Sequence, residues 1–503
     1  MRLKIEISWI LIGFILIGVS LSLLNFLNFR SLWLDEVRIG LNIVEKSVNE
    51  LLQPLDYNQV APIGFLLIEK IFASLLGNAD WTMRIFPLLA FLISIFLLHS
   101  ITYKILKNNL FALFASAFFA TSILMLSYSS EVKQYMTDVA FTLTILLTTI
   151  TYNENGFKNK WWIYALIGML SIWFSNISVL LLFTAGFYSL YRTHYSIEKK
   201  YKHLVYILGL WVFSFVIYYS LFIHDHPTKD FMTIYWQKAS AFLPQDILSV
   251  EFYKSLSAKI KIYFGLLGSN KYGLLLVPIF FLGLFFLGKE KKAFLYLLVF
   301  PVVLHLILAY IHLYPFSTRL ILYLYPSLLI IITSGLCFIY SFFNSSQQKL
   351  IYVLPLFLAA NILIIKRNQF PIEKEEIKKS MSYIKSKFVK GDNIYVYYGA
   401  KPAFEFYRDD LNKEIDDSNV VLASAHGNKW SNYHMPISKM NDPVWILFSH
   451  VYRMKNEENL TEEEYILNIF REEGYQIIDE QKYKGSSVYY AVKIMPTPNQ
   501  VDG

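Results

Sequence analysis

The sequence predicts a polytopic α-helical membrane protein with about eleven transmembrane helices and a C-terminal soluble α/β domain. Hydrophobic residues make up 55% of the 503 residues and charged residues only 17%, whereas charged residues reach about a quarter in soluble domains. Apolar runs long enough to cross about 30 Å of hydrocarbon recur through the first part of the chain. We therefore expect a transmembrane domain over residues 1–365 and a soluble domain over 366–503.

The predicted spans are uncharged or nearly uncharged runs. Trp161–Tyr191 is too long for one helix and is broken at Ser175-Asn176, and basic residues flank it on both sides, so it is predicted to cross twice. The other runs are Ile7–Phe29, Ile85–Tyr103, Asn108–Ser130, Gln134–Asn153, Leu204–Ile223, Tyr272–Gly288, Ala293–Thr318, Leu320–Gln348 and Leu350–Ile365.

The positive charges predict the orientation. Lysines and arginines account for the net charge of +8 and lie mostly in short loops between apolar runs, where they orient the chain with its N-terminus in the cytoplasm. This distribution argues against nucleic acid as a partner. With an odd number of spans, the C-terminal domain is expected outside. Cys337 is the only cysteine, so no intramolecular disulfide or thiol metal cluster is expected.

Three predicted outer segments are large or rich in polar residues. The first, residues 30–81, contains Ala61–Gly77, whose apolar run is interrupted by Glu69-Lys70 and suits a helix lying in the membrane interface. The second is the loop His224–Lys271. The third is the tail, where Asn393–Tyr398, Pro443–Phe448 and Ser486–Lys493 read as strands, and Ile372–Phe388 and Thr461–Glu473 as helices.

The first candidate site follows the first span, at Trp33-Leu34-Asp35-Glu36. Arg38 comes next, and a helical continuation places it about one turn from Asp35. A carboxylate beside a guanidinium pairs a base with an anion-binding group. The alternative is a solvated turn whose charged side chains only reach the interface.

A second acid–base pair, Glu131 and Lys133, lies in the predicted outer connection 128–135. If the next helix starts near Glu131, then Glu131, Tyr135 and Asp138 share one stripe. Asp138 lies inside an apolar run, where an ionisable group normally has a partner or faces a polar cavity. A structural ion pair is the alternative for Asp138.

Two arginines at predicted outer helix ends, Arg84 and Arg319, are candidates for holding a phosphate because a guanidinium offers a fork of donors. Either could equally reach out to lipid phosphates. His305 is expected to make an interhelical hydrogen bond. No paired-histidine zinc spacing, phosphate-binding glycine loop or nucleophile elbow is found.

The order of these motifs resembles that of the GT-C fold glycosyltransferases that use polyprenyl-phosphate sugars, specifically the group of protein O-mannosyltransferases and the lipid A aminoarabinose transferase. The resemblance covers about the first 340 residues. It depends on the sequence of five motifs: Trp33-Leu-Asp-Glu-Val-Arg38, Ala61-Pro-Ile-Gly-Phe-Leu-Leu67, Met83-Arg-Ile-Phe-Pro87, Tyr128-Ser-Ser-Glu-Val-Lys-Gln-Tyr135 and Thr318-Arg-Leu-Ile-Leu-Tyr-Leu-Tyr-Pro326.

The resemblance implies roles for these residues. Asp35, with Glu36 beside it, becomes the catalytic base or the group that orients the acceptor, and Arg38 contacts the donor phosphate. Glu131 positions the sugar or a neighbouring cation, and Lys133 stands where the family usually has arginine, which keeps the charge but not the fork. The further candidates are Arg319 and Arg84 for the phosphate, and Tyr135, Asp138, Tyr57 and Gln59 for the substrate pocket.

The expected reaction is inverting transfer of a sugar from a polyprenyl phosphate to a hydroxyl group of a lipid, glycan or protein. Relatives often have a histidine or second proline before Pro62, where this chain has Gln59-Val60-Ala61. No cofactor is expected with certainty, although a divalent metal is possible, and no metal ligands are assigned. The expected location is the bacterial plasma membrane. A transporter or flippase is the competing hypothesis, disfavoured because no repeated halves are visible and the charges gather at one face. A third is an assembly protein whose tail is the working part.

Overall fold

The structure of the protein is a computed structural model. It describes residues 2–155, 160–195, 201–268, 270–344, 347–368, 370–410, 415, 417–425, 429–440, 442–452 and 459–494. The chain divides into two compact units. The membrane unit contains residues 1–28 and 46–371, and the soluble unit contains residues 29–45 and 372–503.

The membrane unit is helical, and each predicted span corresponds to one helix or a broken pair. Its helices are α1 Arg2–Leu27, α3 Val48–Leu51, α4 Ile63–Leu76, α5 Ile85–Leu106, α6 Asn109–Ala120, α7 Ile123–Tyr128, α8 Tyr135–Asn155, α9 Trp161–Phe174, α10 Ser178–His194, α11 Tyr201–Phe222, α12 Lys229–Lys238, α13 Val250–Gly265, α14 Asn270–Leu275, α15 Val277–Glu290, α16 Lys292–Tyr310, α17 Tyr325–Ser341 and α18 Val353–Arg367.

Among the described residues, six helices are long and apolar enough to cross a membrane: α1, α5, α11, α16, α17 and α18. Two shorter helices, α6 and α9, are also apolar, and the number of about eleven crossings stays a prediction. The break predicted at Ser175-Asn176 is present, because α9 ends at Phe174 and α10 begins at Ser178. The prediction of a polytopic helical membrane protein is therefore confirmed.

The close packing of α15 against α17 depends on two glycines. Gly283 of α15 and Gly335 of α17 lie at the crossing of these helices, where an added Cβ would come within 1.9 Å and 2.1 Å of the backbone oxygens of Ile331 and Ile279. Interfaces between membrane helices favour such small residues because backbones can then approach closely.

Helix α4 differs in one respect from the interfacial helix that was expected. Ile71 and Leu75, one turn apart, are half to three-quarters exposed, as an apolar face toward lipid requires. Glu69, however, is fully buried, so the acid does not interrupt that face. The acid thus lies on the inner side of the helix, where burial disfavours its charged form.

The soluble unit is an α/β domain with a five-stranded sheet in the order β2-β1-β3-β5-β4. Strands β1, β2 and β3 are parallel, and β5 runs antiparallel to both β3 and β4. The strands are β1 Asn393–Val396, β2 Val420–Leu422, β3 Val444–Ser449, β4 Tyr475–Tyr483 and β5 Ser486–Lys493, and the helices are α2 Leu34–Glu45, α19 Ile377–Lys387, α20 Lys401–Tyr407, α21 His434–Ser438 and α22 Glu462–Glu472.

The three strands and two helices predicted for the tail are present. Strand β5 has the predicted bounds, and the ends of the other four elements are shifted. The unpredicted strands are the short β2 and the edge strand β4, whose sequence Tyr-Gln-Ile-Ile-Asp-Glu-Gln-Lys-Tyr contains few apolar residues. The division between the units also differs from the expected boundary at 365/366. Residues 29–45, predicted to belong to the transmembrane part, cluster with the soluble unit because α2 packs against α20.

Candidate functional site

The first candidate motif lies at the start of helix α2, so the helical continuation considered for Arg38 is present. Trp33 precedes the helix, Asp35 and Glu36 lie in its first turn, and Arg38 follows one turn after Asp35. Carboxylates in the first turn interact favourably with the unsatisfied N–H groups of the helix start. The side chain of Asp35 is half-buried.

Glu36 occupies a structural position. Its carboxylate accepts two hydrogen bonds from the guanidinium of Arg30, at 2.5 and 3.0 Å, and both side chains are buried. It also accepts a hydrogen bond from the N–H of Trp33, three residues earlier, as the glutamate of a capping box does. The predicted catalytic role of Glu36 is therefore less consistent with the geometry than that of Asp35.

Arg38 is available for an anion. Within the soluble unit, no described carboxylate lies within salt-bridge distance of its guanidinium, and its Nε is buried without a hydrogen-bond partner. A buried donor without a partner is energetically unfavourable, so such a group is usually hydrogen-bonded to a ligand or to a water molecule. This arrangement fits the phosphate contact predicted for Arg38.

In the membrane unit, Lys133 of the second candidate motif contacts Gln59. The Lys133 ammonium donates to Oε1 of Gln59 at 2.8 Å, and both side chains are buried, as is that of Glu131. The amide of Gln59 in turn donates to the carbonyl of Tyr57 at 3.1 Å. Residues 74 positions apart in the chain thus place a buried cation beside the stretch that precedes Pro62.

Asp138 lies in a polar cluster of the membrane unit. It is hydrogen-bonded to Ser175 at the break between α9 and α10, and its Oδ1 has no hydrogen-bond partner among the described residues. Tyr218 and Tyr314 lie near enough to Asp138 for an electrostatic interaction. Burial raises the pKa of Tyr314, in the loop after α16, well above its usual value, and Asp138 and Tyr135 add to that effect. The cluster fits a polar pocket better than the alternative of an ion pair.

Tyr135 and Tyr57 differ in their surroundings. Tyr135 is buried, with its ring 5.5 Å from that of Tyr128 in an edge-to-face contact. Tyr57 is exposed, in a left-handed backbone conformation with φ of 59°, and it does not line the neighbouring cavity. That cavity, of about 140 Å³, is lined by Gln59, Asn176 and Tyr218 among others.

Arg84 and Arg319 differ in their burial and contacts. Arg84 is fully buried in the short 3-10 helix Thr82–Arg84, which excludes the alternative in which it reaches lipid phosphates. Arg319 is half-buried and stacks on Trp236 of α12, with 5.1 Å between its guanidinium carbon and the ring centroid. The contact holds Arg319 in a defined position in the loop that follows α16.

His305 makes the internal hydrogen bonds that the sequence predicted. Its Nε2 donates to the carbonyl of Pro315 at 3.1 Å, and its Nδ1 is hydrogen-bonded to the hydroxyl of Tyr323 at 2.9 Å. These bonds tie α16 to both sides of the loop carrying Arg319. No sequence signal identified this tie, because the three residues form no recognisable motif.

The described part of the chain brings together no group of three or more His, Cys, Asp or Glu side chains that could hold a metal ion. A cavity also lies in the soluble unit. It is an open groove of about 1040 Å³ whose wall includes Lys374, Glu375, His450 and Tyr489. Sequence reasoning did not single out these four residues.

Comparison with known proteins gives a family match and a fold. Residues 60–219 match the model of the dolichyl-phosphate-mannose-protein mannosyltransferase family. The matched region includes Glu131, Lys133 and Asp138. Gln59 lies one residue before it, and Asp35 lies further upstream. No curated protein matches the chain in sequence.

Two similar solved structures are of ArnT from Cupriavidus metallidurans. The crystal structure bound to undecaprenyl phosphate has a TM-score of 0.52 and 13% identity, and covers 95% of this chain and 98% of that chain. The apo crystal structure has a TM-score of 0.50 and 10% identity over the same shares. At such identity the likeness concerns the fold, and the chain has the GT-C fold of membrane glycosyltransferases.

Proposed function

We propose that this chain is an inverting membrane glycosyltransferase that moves a sugar from a polyprenyl-phosphate donor to a hydroxyl acceptor. The observation that carries the proposal is the match of residues 60–219 to a family described by its dolichyl-phosphate-mannose donor. The crystal structure of ArnT with undecaprenyl phosphate adds support, because a protein of the same fold binds a polyprenyl phosphate. We propose that the acceptor is a lipid, glycan or protein.

The proposed chemistry assigns cations to the leaving group. When the bond between the anomeric carbon and the phosphate oxygen breaks, its electron pair stays on the phosphate, so the enzyme must stabilise negative charge. In the membrane unit, the buried ammonium of Lys133 and the stacked guanidinium of Arg319 are the proposed phosphate contacts. Glu131 is proposed to position the sugar or a neighbouring cation.

In the soluble unit, Asp35 is the proposed base and Arg38 a proposed phosphate contact. The acceptor oxygen attacks the anomeric carbon from the face opposite the phosphate, and its proton passes to the Asp35 carboxylate. Asp35 is preferred over Glu36 because Arg30 and Trp33 already occupy the oxygens of Glu36. Attack from the opposite face inverts the anomeric configuration.

Pocket roles are proposed for the polar cluster. The Oδ1 of Asp138, which has no hydrogen-bond partner among the described residues, would accept a hydrogen bond from a sugar hydroxyl, and Tyr135 and Gln59 are proposed as further pocket residues of the same unit. Buried acceptors without partners discriminate strongly between hydroxyls because a mismatch leaves them unsatisfied. Arg84 and Tyr57 remain predictions from the sequence pattern.

The proposed location is a bacterial plasma membrane with the N-terminus in the cytoplasm and the soluble unit outside. This proposal depends on the lysines and arginines in the loops predicted to be cytoplasmic. An outer site would use a lipid-linked donor, since nucleotide sugars are scarce there. The reaction requires no electron or hydride carrier; whether it requires a divalent metal is answered by assaying the enzyme after chelation and after metal is restored.

The test is transfer by the purified protein in lipid nanodiscs. Radiolabelled hexosyl and pentosyl polyprenyl phosphates are supplied with hydroxyl acceptors, and inverted glycoside product is measured. Product formation that requires the intact protein is expected. Movement of the labelled lipid across vesicle membranes without any transfer would overturn the proposal in favour of a flippase, although no observation on the structure favours that function.

A further inference from the structure

At the start of helix α2, the N-cap position is taken by a residue whose side chain has no oxygen. The residue before the helix is Trp33, whose side chain offers no oxygen to the N–H groups of the first turn. Those N–H groups must otherwise be satisfied by water or by another part of the protein. The N–H of Leu34, the first helical residue, is one of these groups, and the N–H of Leu32 just before the helix also needs an acceptor.

The C-terminal part of the soluble unit satisfies them. The N–H of Leu34, the first helical residue, donates to Oε2 of Glu375 at 2.8 Å. The N–H of Leu32 donates to the hydroxyl of Tyr407 at 2.7 Å. A carboxylate at this point also interacts favourably with the positive end of the helix. Glu375 is therefore the cap of α2, supplied from 341 residues away in the chain.

Further contacts hold the same segment. The Lys378 ammonium donates to the carbonyl of Phe29 at 2.5 Å, and its backbone N–H donates to the hydroxyl of Ser31 at 3.0 Å. The Lys374 ammonium lies 4.3 Å from the centroid of the Trp33 ring. Residues 29–34 are thus fixed along their length by residues 374–378 and Tyr407.

Glu375 is itself fixed. Its other oxygen, Oε1, lies 2.6 Å from Nδ1 of His450, the residue that follows strand β3. One carboxylate oxygen is therefore held by the sheet and the other caps α2. The sheet therefore fixes Glu375, and Glu375 fixes the N–H of Leu34. Asp35 is the next residue along the chain.

We infer that Glu375 is a positioning residue of the transferase: it sets where α2 begins and thereby directs the Asp35 carboxylate. This inference depends on the proposed function, since it assumes that Asp35 is the base. It gives the soluble domain a role in the chemical step. A misplacement of about 1 Å can cost about a hundredfold in rate, so the contact is sufficient to matter.

The test compares two substitutions of Glu375. Glu375→Ala removes the cap and is expected to lower kcat between about tenfold and a hundredfold. The KM for the donor should change less than kcat, because of the proposed phosphate contacts only Arg38 lies on α2, whereas Lys133 and Arg319 do not. Glu375→Gln keeps an oxygen for the Leu34 N–H and is expected to recover most of kcat. Asp479→Ala, which breaks the 2.6 Å ion pair with Lys387 on another helix of the unit, is the matched control and should retain the wild-type kcat.

A double variant separates positioning from general destabilisation. If Glu375 acts through Asp35, then Glu375→Ala should have no further effect on kcat in an Asp35→Asn background. Effects that multiply would overturn the inference. A loss of kcat that Glu375→Gln does not relieve at all would also overturn it.

Amide hydrogen exchange of the full-length protein in detergent provides a readout that is independent of activity. Glu375→Ala should speed exchange in residues 31–41, and Asp479→Ala should leave that segment unchanged. Unchanged exchange in Glu375→Ala would overturn the inference even if the protein is an active transferase. Faster exchange in a protein without transferase activity would show that the capping holds and that the proposed function fails.

Discussion

The guanidinium of Arg30 contacts both carboxylate oxygens of Glu36, and the N–H of Trp33 donates to the same carboxylate. Two adjacent acids with similar sequence context thus have different surroundings. Glu36 holds together the start of a helix, and Asp35 remains the candidate for proton transfer.

Asp35→Asn should lower turnover by about 10²- to 10⁴-fold, the usual contribution of a general base. The thermal unfolding midpoint should stay near that of the wild type, because the substituted amide keeps the size of the side chain. Turnover is measured as glycoside product formed at saturating donor. Asp56→Asn, at an exposed acid of the membrane unit, is the control. Near-normal turnover of Asp35→Asn would remove Asp35 from the mechanism.

Glu36→Gln should destabilise the protein. Removing one partner from a buried ion pair commonly costs about 3–5 kcal/mol, since the other charge is left buried and unpaired. The expected result is a lower unfolding midpoint of the full-length protein. Replacing both partners, with Arg30→Met and Glu36→Leu together, should recover part of the loss. A Glu36→Gln variant with wild-type stability and no turnover would restore Glu36 as a catalytic candidate.

Lys133→Met should weaken use of the donor. Loss of a hydrogen bond to a charged group costs about 1.5–3 kcal/mol, which corresponds to about a 10- to 150-fold fall in kcat/KM for the donor. Lys133→Arg keeps the charge and should retain more activity. Lys107→Met, at the C-terminal end of α5, should behave as the wild type. Equal losses in Met and Arg variants would indicate a packing role for Lys133.

Glu69→Gln should raise stability increasingly with pH. Burial raises the pKa of the Glu69 carboxyl well above its usual 4.5, and neither oxygen has a hydrogen-bond partner among the described residues. A carboxyl whose pKa is raised on folding stabilises the folded state below its unfolded pKa, and that stabilisation is lost as the pH rises through the folded pKa. Glutamine does not titrate there.

Unfolding midpoints measured from pH 5 to pH 9 check this. The advantage of Glu69→Gln over the wild type should be smallest at pH 5 and grow toward pH 9. A constant difference across the range would mean that folding does not raise the pKa of Glu69 and would contradict this prediction. Glu50→Gln, at an exposed capping glutamate whose pKa is lowered by its hydrogen bonds to Ser47, is a control that should not gain stability at high pH.

Much of the membrane unit could be predicted because apolar length and charge placement depend on the bilayer alone. The Ser175-Asn176 break was visible for this reason. The partner that the break supplies to Asp138 was not, since it depends on how three helices pack. In the same way Gln59 was a candidate residue, whereas its hydrogen bond to Lys133 requires two distant segments to meet.

In the soluble unit, a strand could be predicted only where its own sequence carries an apolar pattern. Strands β1, β3 and β5 have buried apolar residues and were recognisable, while β4 is an edge strand with exposed polar residues and carries little pattern. The capping of α2 by Glu375 leaves no local trace at either position. A sequence can mark Asp35 as chemically interesting without indicating what holds it.

The assignment of residues 29–45 to the soluble unit has a consequence for biosynthesis. Helix α2 leaves the ribosome more than 300 residues before the residues that cap it and the helix α20 on which it packs. Its apolar side has none of these partners while the later membrane helices are inserted. A nascent or truncated chain that stops before residue 375 therefore has Asp35 in its sequence and lacks the cap that fixes it.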